Sequence, residues 1–339
     1  MSQPLTLKRL AARTVATVAG LVGLSAFLRQ RRRAAGDFRV YILEYHGVDP
    51  QNREWEGTIS QRRFHQHVAW LESHYRIVTV ADAADALASG ELTQDLAVLT
   101  FDDGYLNNVE GAWPVLRELG VPATIYLTTG FLDGDELWFD IARRALAAPA
   151  AAESLSSEAE TRLADALDGW PTPLGIEAAM KRLKRLPAKE RLAVVEALRE
   201  VQENPGEPAR PMSWDQAREL QAAGIELGAH TVHHPILSLT DEQEKEIAGS
   251  LKRLEEELGQ APTTFAIPNG GRDDYDQETL DILRRLGFRA ACTTRRGSNA
   301  PGCDLLELRR IGVGSDSIFM LSARLAGLFD EGVRRLLPF

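Results

Sequence analysis

The sequence predicts an α/β protein, a closed or nearly closed TIM-like (β/α) barrel with a helical insertion. Three observations predict it. Short apolar runs alternate with stretches of helical period, the rhythm of a parallel sheet covered by helices. Gly120, Gly224, Gly259 and Gly287 stand where the helical periods stop. Residues from about 141 to 210, rich in Ala, Glu, Leu and Arg, then break the rhythm with no strand signal and leave through Pro205, Pro208 and Pro211.

Residues 1–36 form a basic and apolar opening. Thr14 to Leu28 carries no charge over 15 residues, short of the roughly 20 that span a bilayer and close to a signal-peptide core. No convincing small-residue cleavage site precedes Arg29 to Arg33, so an uncleaved membrane anchor is expected. A removed signal and a helix packed on the body are the alternatives. Basic residues on both sides leave orientation open.

Residues 37–330 form the expected catalytic domain. Its strands are Val40 to Tyr45, Ala97 to Phe101, Ala123 to Leu127, Ile225 to Ala229, Thr264 to Ile267 and Ala290 to Thr293. Ser60 to Ser73, Ala81 to Ala88, Trp113 to Leu119, Trp214 to Ala223, Asp241 to Leu258 and Asp276 to Leu286 read as helices, several opening on an Asp, Ser or Thr that suits an N-cap. The stretch 141–210 reads as a helical excursion, solvated or acting as a substrate-contacting arm.

At 339 residues, 44% hydrophobic and 26% charged, the chain has the composition of a globular protein. Its first 39 residues hold eight Lys and Arg against one acid, Asp37, and the remaining 300 carry a net charge of −17. So acidic a body repels phosphate backbones, which excludes nucleic acid as a partner. Cys292 and Cys303 are too few for a disulfide scaffold and lack zinc-knuckle spacing; a single bridge and two free thiols both fit.

"LTFDDGY", residues 99 to 105, puts Asp102 and Asp103 at the end of an apolar run. In a β/α barrel that end faces the open rim where catalytic side chains project, although Asp-Asp-Gly alone also suits a turn with a helix cap. "GAHTVHHP", 228 to 235, follows another apolar run and holds three of the seven histidines, with His230 and His234 four apart. Two imidazoles and a carboxylate make a three-ligand set with an open position for water, whose pKa such a site lowers towards about 7. One aspartate would then bind the metal while its neighbour serves as general base. His233 has no place among the ligands.

"TFDDG" and "HTVHH" resemble the first two motifs of the polysaccharide deacetylases, carbohydrate esterase family four, over about Arg39 to Val313. The resemblance implies a distorted β/α barrel, a divalent metal, usually zinc, and hydrolysis of acetyl groups, most often the N-acetyl of a hexosamine in a glycan. It makes Asp102 the base and Asp103, His230 and His234 the metal ligands. "FAIPNGG", 265 to 271, is similar to the third motif, but Ala266 stands for the usual Arg and Asn269 for the usual Tyr, whose backbone N–H helps hold the oxyanion. Arg310, in "LRRIGV", is the candidate for the missing charge, with a surface Arg at a strand edge as the alternative.

No histidine follows His234, so the late histidine acid of the family is missing. His46, in "LEYHGV" at the end of the first strand, resembles the acid of a permuted branch with an N-terminal YHxV motif, and first and last barrel strands are neighbours. Trp138 and Phe139 are candidates for sugar stacking or for the core. The expected partners are a glycan and, through residues 1–36, a membrane, with the catalytic domain outside the cytoplasmic membrane. Rival readings are a non-haem iron oxygenase, which shares the two-His, one-carboxylate set but sits on a jelly roll, a metal-retaining sugar-binding module, and an O-acetyl esterase.

Overall fold

The computed structural model describes residues 7–54, 57–147, 166–167, 175–199 and 209–329. Its strands are β1 (Val40–Tyr45), β2 (Gly47–Asp49), β3 (Thr58–Ser60), β4 (Arg76–Val78), β5 (Leu96–Phe101), β6 (Thr124–Leu127), β7 (Glu226–Ala229), β8 (Thr264–Ala266), β9 (Ala290–Arg296) and β10 (Leu308–Gly312). Seven of them, β1 and β5 to β10, close a parallel barrel in that order, with β10 returning to β1. β4 lines the first half of one edge of β5, and β6 takes over that edge at Thr100 and Phe101. β2 and β3 form a small parallel pair beside the rim.

All six strands expected from the sequence are present. β2, β3 and β4 have three residues each, too few to show a period, and in β10 Arg309 and Arg310 interrupt the apolar run.

Side chains alternate along each strand, so the barrel sorts its own residues. Tyr41, Leu43 and Tyr45 turn outward to the helices, whereas Val40 and Ile42 turn inward with Val98, Tyr126, Ala266, Cys292 and Leu308. The helix Val80–Ala88 lays Val80, Ala83, Ala84 and Leu87 on that inner cluster and closes the floor. Thr79, Ser213 and Asp276 close capping boxes at their helices. Gly120 and Gly259 end theirs in the left-handed conformation that glycine adopts without strain.

Leu7–Leu21 and Leu24–Ala34 are two helices, with Ala11–Leu21 bent by 67° from Leu24–Ala34, and no single helix among the described residues is long and apolar enough to cross a membrane. Both pack on the body. Ala16 is buried with Met320, Ala323 and Phe329, and Arg29, 5% exposed, donates to the Ser322 carbonyl and Oγ and lies over Trp70. Arg33 pairs with Asp95 at 2.6 Å beside the start of β5. Arg29 and Arg33 of the run expected to flank an anchor are thus engaged by the body, while Arg31 is exposed.

Within 141–210, residues 148–165, 168–174 and 200–208, with Pro205 and Pro208, lie outside the described residues. The helices Ile176–Arg185 and Ala188–Arg199 join Trp138–Leu146, which begins before the expected start of the insertion, in a separate core of Trp138, Ile141, Leu146, Met180, Leu183 and Val194. Cys292 and Cys303 are both free thiols.

Candidate active site

The inward positions of three adjoining strands turn polar at the rim. After Val40 and Ile42 comes Glu44, after Val98 come Thr100 and Asp102, and after Leu308 comes Arg310, which lies level with Ile42. Arg310 is 1% exposed, not at the surface. Its Nη1 and Nη2 donate to Oδ1 and Oδ2 of Asp102, each at 2.7 Å. Nε donates to the Thr293 carbonyl and lies 3.6 Å from Glu44 Oε2. Burial alone would raise the Asp102 pKa, but the Arg310 guanidinium, with His230 and His46 adding, outweighs it and holds the carboxyl well below its ordinary range. Arg310 stays charged against the same burial through Asp102 and Glu44.

Ala266 faces the same interior from β8 and is fully buried. An arginine absent at β8 therefore has a counterpart entering the interior from β10.

Asp103 turns the other way because its backbone takes φ +74°. Gly104 follows at φ +86°, where a Cβ would stand 2.9 Å from the Leu127 and Leu132 side chains. The turn is tied down on both sides, Asp102 N–H donating to Tyr45 O and Met212 N–H to Gly104 O. His230 and His234 each bring Nε2 to 3.5 Å from Asp103 Oδ1. His230 Nδ1 lies 2.7 Å from the carbonyl of Ala266, which fixes it as the N–H and leaves Nε2 as a lone pair. Trp138 Nε1 donates to the His234 carbonyl, and the Phe139 ring packs against the His234 ring. Trp138 is 5% exposed and belongs to the insertion core, so it is no sugar platform.

This triad fits a divalent cation. At 3.5 Å the nitrogens are too far from the oxygen for hydrogen bonds, and the spacing matches the edge of about 3.3 Å that Zn–N bonds of 2.0–2.1 Å set in a tetrahedron. Both Asp103 oxygens are buried without a hydrogen-bond partner. Burial, with Asp102 adding, pushes the Asp103 carboxyl up to about 7, and burial pushes His230 down to about 4 and His234 well below its ordinary value. The triad thus holds neutral imidazoles beside a carboxylate with no hydrogen-bond partner.

His46 adjoins Glu44 and Asp102, and one ligand atom from each lies within 4.8 Å of the others. Burial lowers its pKa, but Asp103, Asp102 and Glu44 together raise it above the ordinary value. Asn269 sits on the loop after β8 at φ +60°, its carbonyl accepting from Thr294 Oγ1 and its Nδ2 buried without a partner among the described residues. His233 is outside the triad, with Nδ1 2.7 Å from Glu246 Oε1.

Several contributors were not read from the sequence. Glu44 is visible only through strand alternation once β1 and β10 are known to adjoin. Thr231, at φ +67°, is a β-branched residue in the left-handed region, and its Oγ1 accepts from His234 N–H. Among the described residues five non-glycine positions have positive φ, and four of them, Asp103, Thr231, His234 and Asn269, lie in these motifs; such strain, about 1–3 kcal/mol each, gathers at functional sites. Asp140 accepts from the Tyr105 hydroxyl at 2.9 Å.

Comparison with known proteins identifies the family and the fold. Residues 89–160 and 168–291 match the profile of the Polysaccharide deacetylase family. YxkH of Bacillus subtilis (strain 168), named for the same family, is 23% identical over 293 residues, covering 85% of this chain and 75% of its own. IcaB from Ammonifex degensii superposes with a TM-score of 0.59 at 23% identity, covering 85% of this chain and 97% of that one. The Streptococcus pyogenes deacetylase PplD in complex with acetate gives 0.55 at 20% identity, with 82% and 93% covered. With the family's profile running through both the aspartate pair and the histidine cluster, the chain belongs to the polysaccharide deacetylase family.

Proposed function

We propose that this chain is a metal-dependent hydrolase that removes N-acetyl groups from hexosamine units of a cell-envelope or exported polysaccharide. The observation that carries the reading is the pairing of Asp102, locked ionised by Arg310, with the adjacent triad Asp103, His230 and His234. A divalent metal held by that triad, usually zinc in the family, supplies when bound a Lewis acid for the acetyl carbonyl and a lowered pKa for water.

The chain's own groups divide the proton work. Asp102 accepts the proton of the attacking water, since Arg310 keeps it ionised. His46, whose pKa its carboxylate neighbours raise against burial, returns a proton to the leaving amine nitrogen. The backbone N–H of Asn269 is the donor assigned to the oxyanion, on the match of "FAIPNGG" to the third motif. The same reading puts the catalytic domain outside the cytoplasmic membrane, which fractionation of the source cells tests.

The substrate is tested by acetate release from N-acetylglucosamine oligomers and from acetylated xylan. Acetate from the amino sugar supports the N-deacetylase. Acetate from xylan alone moves the chain to the O-acetyl esterases, and none from either, with metal bound, favours the sugar-binding module.

A further inference from the structure

Seven large apolar residues are exposed among the described ones, and six of them belong to one place. Val18, Leu21, Val22, Leu24 and Phe27 surround the bend between the two N-terminal helices, with Leu21, Val22 and Phe27 exposed to 72, 70 and 58%. Phe319 joins them, since a Cβ at Gly20 would run into its ring. A contiguous exposed apolar patch marks a surface that something covers.

We infer that this bend is an interfacial membrane anchor, seated in the headgroup region of an anionic bilayer rather than passing through it. Charge selects the occupant. Residues 7–36 hold seven Lys and Arg and no acid, of which Arg29 and Arg33 are engaged by the body while Arg13 and Arg31 are exposed, and residues 40–339 carry −17. Arg31 lies exposed one turn from Phe27 on the same helical face. An anionic surface repels the barrel and draws this one end, which also orients it. The helices cannot straighten into a span while the body stays folded, because Arg29 is buried on Ser322 and Trp70 and Arg33 is paired with Asp95. Only the bend is free to enter lipid.

The test is flotation of the full chain with phosphatidylcholine vesicles and with phosphatidylcholine–phosphatidylglycerol vesicles, followed by an alkaline carbonate wash. The wild type is expected to float with the anionic vesicles, more weakly with the neutral ones, and to be released by carbonate. The triple variant Leu21→Ser, Val22→Ser, Phe27→Ser, which alters only exposed side chains, is expected to lose at least about a hundredfold in vesicle affinity, with acetate release from soluble substrate and thermal stability unchanged. Failure to float, equal flotation of the variant, or resistance to carbonate overturns the inference. So does a wild-type dimer that the variant turns into a monomer without any vesicle binding, which would make a second copy the occupant. None of these results bears on the deacetylase reading, which the soluble assay follows separately.

Discussion

Arg310 grips Asp102 with two parallel hydrogen bonds of 2.7 Å from a strand two places away from the one that carries Ala266. The pair is buried at both ends, so its loss leaves an uncompensated charge rather than a solvated one.

Arg310→Met is therefore expected to cost about 3–5 kcal/mol of stability and to abolish acetate release, with Arg310→Lys rescuing little because a lysine lacks the fork. Ala266→Arg alone overfills the interior. Combined with Arg310→Ala, it is expected to recover part of both the melting temperature and the turnover, since it returns a guanidinium to the interior that Asp102 borders. Thermal denaturation and acetate assays on the four proteins check this.

Zinc is expected to raise the melting temperature of the wild type, and to leave that of Asp103→Asn and His234→Ala unchanged. The pH dependence has a definite sign. Because the Asp103 carboxyl sits at about 7 without a cation, it carries a proton below that value and the metal must displace it. Zinc affinity falls as pH drops through about 7, and uptake below it releases a proton, measurable by calorimetry in two buffers of different ionisation enthalpy. In the metal-free protein, in contrast, the Asp103 contribution to stability falls as pH rises from about 4 to about 7, where only the unfolded chain ionises this group, while His230 and His234, neutral in the fold, contribute with the opposite sign.

His46→Gln is expected to lower kcat by roughly 10²–10⁴ while zinc binding persists. In the wild type the activity falls on the alkaline side, as pH rises through the raised pKa of His46. Glu44→Gln removes one of the carboxylates that raise it, so that limb moves to lower pH. A pH–rate profile for both proteins reads the shift.

Trp138→Phe keeps the ring in the insertion core but removes the hydrogen bond to the His234 carbonyl. A loss of about 1 kcal/mol should appear as weaker zinc binding in equilibrium dialysis, which separates a positioning role from simple core packing.

Much of this site was legible as strings. Asp102, Asp103, His230, His234 and His46 are close in sequence to the ends of strands, and an apolar run followed by a polar cluster marks a rim address. Arg310 was harder, because β10 reads as a charged segment until its neighbours are known; only the closed barrel makes an inward arginine at that level intelligible. Glu44 was hidden for the same reason. The N-terminal helices show the converse. Their composition is that of a membrane segment, yet Arg29, Arg32 and Arg33 are committed to Ser322, Tyr41, Tyr75 and Asp95, contacts that arise from elements far along the chain.

The mechanism rests on Asp102 as the base beside a metal held by its neighbour. It is tested most directly by zinc content and acetate release from N-acetylglucosamine oligomers, measured together for the wild type, for the wild type with chelator, and for Asp102→Asn. Release is expected from the zinc-loaded wild type only; chelation abolishes it, and so does Asp102→Asn despite a full zinc content. Undiminished release by Asp102→Asn, or by the chelated enzyme, would contradict it.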